Sequence, residues 1–387
     1  MTVDGSPHSN RSPWQDESLW NTPKYYDAPG QGEGDIKAIF YEGKPWKGNP
    51  TRVFAYYGIP PNARKGQTPA MVLVHGGGGS AFIPWVRLWM NRGYATIAMD
   101  TCGCINTGGY VNHIRHEWGG PPGWGGFDQI DQPPTDQWTY HAVSDVLLAH
   151  SLIRSFPEVD PHKIGVTGIS WGGYLTCIVA GVDPRFRFAA PVYGCGYLGD
   201  NSVWLDQFKT MGSEPAARWL SKWDPSVYLP QARMPFLWVT GTNDFAYPMD
   251  SLQKSYRVTK GPRTFCVRVR MPHGHGGAGE NPDEIRVFAD AMMAGGKPLT
   301  RITGIRRLGR RVEAFYEGPV AIVRAELNYT RDRGKWMDRP WETVPAVVDR
   351  AGGGVWADLP DAVSLYYFNL IDDRDCVVSS EHETLDA

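Results

Sequence analysis

The chain of 387 residues is 42% apolar and 21% charged, which is typical of a globular protein larger than one average domain. Its formal net charge is -2 and it has no long basic run, which argues against a nucleic-acid partner or a polybasic membrane contact. No apolar stretch approaches the ~18 residues that a membrane span needs.

The first residues, MTVDGSPHSN, lack the apolar core of a signal peptide. We therefore expect a cytoplasmic protein, with a leader missing from the chain as the alternative. The six cysteines form no CxxC pair and no dense framework. This pattern predicts free thiols rather than a zinc site or a disulfide scaffold. The sequence does not decide whether the protein forms a homo-oligomer.

The chain begins with a segment over 1–35 that is rich in Gly, Pro, Asn and Asp and predicts an irregular strap. Two strand patterns follow, IKAIFY and RVFAYYGIP. The buried strand patterns MVLVH and YATIAMD then flank a helical pattern, IPWVRLWMN. Residues 101–134 are rich in Gly, Pro and Trp, and a loop of this length predicts a cover over a site.

A helix is predicted from about Thr135 to Ser155, followed by the strand KIGVTG. FRFAAPVYG, FLWVTG and TFCVRVR are further strand patterns, and DEIRVFADAMMAG is the last predicted helix. Strands that alternate with helices favour a mostly parallel sheet covered on both faces. We therefore predict an α/β domain over 1–298.

The pattern changes after Leu299. AIVRAELNY alternates strictly, and its apolar residues Val323, Ala325, Leu327 and Tyr329 are predicted to share one face. RRVEAFYEG, GGVWADLP and VSLYYFNLID are further short strand patterns between turn residues. These features predict a small antiparallel β-sandwich over 299–387.

The stretch GISWGGY fits the pattern G-x-S-x-G between a predicted strand and a predicted helix. This context is typical of a nucleophile elbow, in which a tight turn presents the serine at the carboxyl end of the strand. Ser170 is therefore the candidate nucleophile. A structural Gly-Ser turn is the alternative, because 45 of the 387 residues are glycine.

A serine nucleophile needs an oxyanion hole, an acid and a base. The stretch HGGGG follows a buried strand, and its backbone N–H groups can approach an oxyanion closely. Gly76 and Gly77 are the candidate donors, together with Trp171, the residue after the serine. Which glycine of 76–79 donates stays open.

The acid and the base should follow later strands. Asp244 comes after FLWVTG and is the candidate acid, with a turn-capping Asp as the alternative. His273 and His275 are the two candidate bases. We predict His275, because Met271 and Pro272 leave the chain little room to turn before His273.

These stretches, with VLVHGGGGSAF, RGYATIAMD, GTNDFAYP and HGHGG, resemble the α/β-hydrolase superfamily, in particular acetyl xylan esterases and dienelactone hydrolases. The resemblance extends over roughly Pro69 to Leu299. GISWGGY also resembles the prolyl oligopeptidase-type serine hydrolases. The resemblance implies an α/β-hydrolase fold with Ser170, Asp244 and a histidine at 273 or 275 as the triad.

The predicted cover loop contains two histidines and two tryptophans that are candidates for a functional role. His113 and His116 do not form an HExxH motif, so we predict a structured cover rather than a metal site. Trp118 and Trp124 are weak candidates for stacking on a substrate, and anchors for the loop are the alternative.

The sequence thus predicts a serine ester hydrolase that needs no metal or cofactor. We expect it to act on short-chain acyl esters, with acylated carbohydrates as one substrate class. A prolyl oligopeptidase-type peptidase is the first alternative, although the 74 residues before His75 are too few for the propeller of that family. A non-catalytic binding protein with a hydrolase fold is the second alternative.

Overall fold

The computed structural model describes residues 13–107 and 113–385. The first twelve residues of the predicted strap and residues 108–112 of the predicted cover loop lie outside the described residues. Within the described part, every helix is too short or too polar to span a bilayer.

The first eleven strands belong to the predicted α/β region. In chain order they are β1 (Tyr25–Asp27), β2 (Ile36–Glu42), β3 (Arg52–Gly58), β4 (Thr68–Val74), β5 (Ala95–Met99), β6 (Cys104–Ile105), β7 (Ile114–Arg115), β8 (Val159–Ile169), β9 (Phe188–Val192), β10 (Phe236–Gly241) and β11 (Arg263–Arg268). Nine of them form one sheet in the order β1-β2-β3-β5-β4-β8-β9-β10-β11, while β6 and β7 pair with each other. The strands from β5 to β11 in this order run parallel, which confirms the predicted mostly parallel sheet.

Eight α-helices accompany this sheet in the described residues. They are α1 (Ile83–Asn91), α2 (Trp138–Arg154), α3 (Trp171–Val182), α4 (Leu205–Met211), α5 (Ser213–Trp223), α6 (Met249–Val258), α7 (Gly277–Glu280) and α8 (Asp283–Met293). Two hydrophobic cores lie on opposite faces of the sheet. Val72 belongs to the core with α2 and α3, and the adjacent Leu73 belongs to the core with α1 and α8. Burial of both faces explains why the last five residues of β4 form a continuous apolar run.

The remaining strands form an antiparallel sheet. They are β12 (Arg301–Leu308), β13 (Arg311–Glu317), β14 (Ile322–Thr330), β15 (Glu342–Asp349), β16 (Gly354–Asp358), β17 (Leu365–Asp372), β18 (Val377–Ser379) and β19 (Glu383–Thr384). The first half of β15 pairs with β14 and its second half pairs with β16, so this strand passes from one layer to the other. A separate core, which includes Val312 and Phe368, lies between the layers. This arrangement confirms the predicted sandwich-like sheet.

The C-terminal sheet lies beside β11, the last strand of the larger sheet. The Val267 N–H donates to Ser379 Oγ at 2.8 Å, and the Val267 carbonyl accepts from Asn369 Nδ2 at 3.0 Å. Trp336 and Tyr367 join Val267 in a small apolar cluster at this contact. The two sheets are therefore joined by side chains as well as by the chain itself.

Candidate active site

The turn after β8 has the backbone of a nucleophile elbow. Ser170 adopts φ 57° and ψ -118°, a conformation that a non-glycine residue takes only when its surroundings impose it. Helix α3 begins at the next residue, Trp171. A Cβ atom on Gly168 would lie 2.2 Å from the Gly172 carbonyl oxygen, and one on Gly172 would lie 2.0 Å from the Val74 carbonyl oxygen. Any larger residue at either position would clash with these backbone atoms, so both positions require glycine.

This crowding gives a prediction for Gly172→Ala. The added methyl group must displace the backbone of β4, so we expect a loss of about 1–3 kcal/mol of stability or more, and a large loss of activity. Thermal unfolding and the rate of ester hydrolysis would measure both effects. Gly304→Ala is the matched control, because a Cβ there meets no atom within 4 Å. Equal behaviour of the two variants would contradict the assigned role of Gly172.

Three side chains at the carboxyl ends of β8, β10 and β11 form a hydrogen-bonded chain. His273 Nε2 lies 2.9 Å from Ser170 Oγ, and His273 Nδ1 lies 2.7 Å from Asp244 Oδ2. Because an ionised carboxylate only accepts hydrogen bonds, Nδ1 carries the proton and Nε2 accepts the hydroxyl hydrogen of the serine. The other carboxylate oxygen of Asp244 accepts the N–H groups of Ala246 and Tyr247. The structure thus brings Ser170 and Asp244 together as predicted.

His273 is the histidine that lies between Ser170 and Asp244 in this hydrogen-bonded series. The prediction of His275 as the base is therefore wrong for this geometry. Strand β11 ends at Arg268, two residues before the predicted end. Arg270 takes a left-handed φ of 53°, and its N–H donates to Thr242 Oγ1 at 3.0 Å. This tight turn lets the chain reverse direction before Pro272, which the prediction had assumed it could not do, and the next residue is the candidate base His273.

His273 is held in place by aromatic rings. Its ring is stacked on Tyr193, with centroids 4.3 Å apart, and contacts Phe245 at 4.7 Å. The Tyr193 hydroxyl donates to the Gly274 carbonyl and accepts from the Gly274 N–H. The orientation of the imidazole is therefore fixed from both sides.

Of the three predicted oxyanion donors, two remain available. The Gly76 N–H donates to His275 Nε2 at 2.9 Å, which corrects its prediction as a donor to the oxyanion. Among the described residues, no hydrogen bond uses the N–H of Gly77 or of Trp171. Both residues line the pocket that contains Ser170, so these two N–H groups can serve an oxyanion there.

The pocket around Ser170 has a volume of about 590 Å³ and is largely apolar. Neither Trp118 nor Trp124 lines it, so the predicted stacking role of these residues is not supported by the geometry. Trp118 instead packs on Phe40 and beneath the Arg52 guanidinium, and Trp124 packs on His75 and Trp138. These contacts are those of loop anchors.

The sequence analysis did not predict six of the residues that line the pocket, and three of these have side chains that shape it. Val203 and Trp204 come from the segment after β9, and Phe245 directly follows the predicted acid. Phe245 is 47% exposed and Val203 is 48% exposed, so both form part of the pocket rim. The proximity of Phe245 to Asp244 was the only signal in the sequence.

The loop that carries the acid is anchored on the C-terminal region. Asn243 Nδ2 lies 2.8 Å from the Arg339 carbonyl oxygen and 3.0 Å from the Met337 carbonyl oxygen. An amide nitrogen has two hydrogens, so both carbonyls can be satisfied at once. The residue next to Asp244 is thus fixed by the turn before β15.

Two family models match the chain in the region of this site. The acetyl xylan esterase family matches residues 39–205, and the prolyl oligopeptidase family matches residues 133–292. A curated relative, the uncharacterized peptidase YuxL of Bacillus subtilis (strain 168), is 28% identical over 235 residues, which cover 55% of this chain. The match covers 32% of that relative, so the chain spans about a third of its length.

Solved structures show the same fold. The acetyl xylan esterase from Paenibacillus sp. R4 superposes with a TM-score of 0.58 at 21% identity, covering 72% of this chain and 93% of that chain. Acetyl xylan esterase 1 from Thermoanaerobacterium sp. JW/SL YS485 superposes with a TM-score of 0.55 at 18% identity, and the match covers 73% of this chain and 92% of that chain. The Pyrococcus horikoshii acylaminoacyl peptidase superposes with a TM-score of 0.50 at 19% identity, and the match covers 67% of this chain and 42% of that chain.

Both family models include the elbow around Ser170, and the similar structures share the mostly parallel sheet that carries it. These matches support a serine hydrolase. The chain therefore belongs to the α/β-hydrolase superfamily.

Proposed function

We propose that the protein is a serine ester hydrolase that cleaves short-chain acyl esters, with acylated carbohydrates as one substrate class. The observation that carries this proposal is the hydrogen-bonded chain Ser170–His273–Asp244 beside two unengaged N–H donors. A binding protein with a hydrolase fold would have no need of this alignment.

In the proposed reaction Ser170 Oγ attacks the ester carbonyl carbon while His273 Nε2 accepts the hydroxyl proton. The carbonyl oxygen becomes an oxyanion that accepts from the N–H groups of Gly77 and Trp171. His273 then gives its proton to the departing alcohol, and water hydrolyses the acyl-enzyme by the same steps. Asp244 holds the imidazole in the required tautomer and stabilises its charged form.

The chemistry of the pocket supports a neutral substrate. No Asp, Glu, Lys or Arg is among the described residues that line it. A substrate with a free ammonium or carboxylate group would therefore lose its hydration there without gaining a partner. Exposed Phe245 offers a flat apolar face to the group beyond the ester bond, and a sugar ring of an acylated carbohydrate is one group that fits such a face. The similarity to acetyl xylan esterases favours the acetyl group as the acyl part.

A serine peptidase is the second candidate. It is favoured by the match to the prolyl oligopeptidase family over residues 133–292 and by the relative that is described as a peptidase. The same triad and oxyanion donors would serve an amide. An esterase and a peptidase would differ in the substrates that the pocket accepts. A comparison of ester and amide substrates can therefore distinguish them.

The test is a single panel of substrates at matched concentrations, with release of nitrophenol, nitroaniline, acetate or ferulate as the readout. It contains acetyl, butyryl and octanoyl nitrophenyl esters, acetylated xylo-oligosaccharides, a feruloyl ester, and prolyl and N-acylaminoacyl nitroanilides. We expect the highest kcat/KM on the acetyl substrates and little turnover of the nitroanilides. Efficient cleavage of a nitroanilide with little activity on acetyl esters would replace the esterase by the peptidase.

We also propose a cytoplasmic location. All six cysteines are free thiols in the structure, which suits a reducing compartment.

A further inference from the structure

The peptide groups on both sides of Gly76 are held by histidines. Its N–H donates to His275 Nε2 at 2.9 Å. Its carbonyl oxygen accepts from the Gly79 N–H at 3.1 Å and lies 2.9 Å from His75 Nδ1. His75 Nε2 accepts the Thr101 N–H, so the proton of His75 is on Nδ1 and is donated to Gly76. Burial lowers the pKa of His75 to about 4, so this ring is neutral near pH 7.

His275 is oriented by a carboxylate of its own. Because Nε2 accepts from Gly76, the proton of a neutral ring is on Nδ1, which lies 3.1 Å from Glu280 Oε1. The ring packs against Phe82 at 4.8 Å and Trp85 at 6.0 Å, and its side chain is 12% exposed. The pair repeats the arrangement of Asp244 and His273, but it is directed at a backbone amide instead of a hydroxyl group.

The position of Gly76 determines where the Gly77 N–H points. A trans peptide unit is planar, so the Gly76 carbonyl and the Gly77 N–H point in opposite directions within one rigid group. A Cβ on Gly76 would lie 3.1 Å from Ser170 Cβ, and one on Gly77 would lie 2.8 Å from the Trp171 ring. The loop is thus held close against the elbow, and a rotation of this peptide would change the direction of the Gly77 N–H.

We propose that His275 is a positioning residue of the oxyanion hole: held by Glu280, it fixes Gly76 so that the Gly77 N–H faces the oxygen of the carbonyl attacked by Ser170. This inference rests on the proposed function for the identity of the nucleophile. His273 and His275 flank Gly274, whose N–H and carbonyl both bind the Tyr193 hydroxyl. One short loop therefore sets the base and the oxyanion hole together.

The test compares His275→Ala, His275→Gln and Glu280→Ala with the wild type. A phosphonofluoridate titration counts active sites, so a misfolded fraction does not lower the measured kcat. We expect His275→Ala to lower kcat on nitrophenyl acetate by about 10²-fold with KM nearly unchanged, the loss typical of one oxyanion donor. Glutamine keeps an acceptor for the Gly76 N–H, so His275→Gln should stay within about tenfold of the wild type.

The second readout is binding of an aryl trifluoromethyl ketone, measured by calorimetry. Ser170 Oγ adds to its carbonyl carbon, the hydroxyl proton passes to His273, and the carbonyl oxygen is left as an oxyanion. We expect His275→Ala to weaken this binding by about the same 10²-fold factor as kcat. His162→Ala, on an exposed histidine of β8, is the control and should change neither quantity.

The outcomes separate the two proposals. If the wild type prefers nitroanilides to esters, the ester function is wrong, and His275 is tested on nitroanilides, because the oxyanion hole serves both. A His275→Ala variant that keeps kcat, or loses activity through KM with unchanged ketone affinity, overturns the positioning role. Failure of all three variants to fold would assign His275 to stability and would also overturn it.

Discussion

Replacing Ser170 by alanine should lower kcat for ester hydrolysis by about 10⁴- to 10⁶-fold and leave the fold intact. The only side-chain hydrogen bond of Ser170 among the described residues is to His273, so removal of Oγ breaks no support of the elbow. Alanine has nearly the same backbone preferences as serine and faces the same strain at φ 57°. The loss should therefore be chemical.

The measurement pairs initial rates on nitrophenyl acetate with thermal unfolding of the same preparation. Ser221→Ala, on the exposed face of α5, is the matched control and should keep wild-type rates. A Ser170→Ala protein with a tenth or more of wild-type activity would remove Ser170 from the mechanism.

His273→Ala should lower kcat by about 10³-fold or more. The variant lacks both the acceptor for the serine proton and the group that protonates the leaving alcohol. It also leaves Asp244, only 3% exposed, without its imidazole partner, so thermal stability should be measured alongside the rate. KM should change little, because the imidazole acts on the reacting atoms.

The comparison with His275→Ala makes this prediction specific. A loss at position 273 that is smaller than the loss at position 275 would restore His275 as the base and contradict the observed geometry. His162→Ala again serves as the control for the loss of an imidazole elsewhere on the chain.

Most of the candidate site follows from residues at the ends of buried strands. Ser170, Asp244 and the candidate oxyanion donors Gly77 and Trp171 belong to motifs attached directly to β8, β10 and β4, and a parallel sheet brings those strand ends together. The base was misplaced because the left-handed turn at Arg270 has no signature in the sequence. Arginine gives no hint of that conformation, as glycine or asparagine would have done.

The strands could be predicted where the apolar periodicity of the sequence is strong. The prediction failed where that periodicity is weak. Strand β12 was not predicted, since it is mostly exposed and contains several arginines and a glycine. Strand β15 contains a proline and also lacks a buried face along most of its length. In β14 the predicted inward face begins with Val323, which is 49% exposed, because the pairing with β17 shifts between Ile322 and Arg324. A bulge of this kind moves side chains to the other face without a sequence signal.

The contact between the C-terminal sheet and β11 has a consequence for self-association. The last strand of an open sheet normally presents a row of unpaired N–H and C=O groups to which another chain can add a strand. Here both groups of Val267, in the middle of β11, are occupied by Ser379 and Asn369. These side chains deny a second copy the hydrogen bonds it would need to extend the sheet. The C-terminal region thus blocks strand addition at the middle of the β11 edge of the nine-stranded sheet.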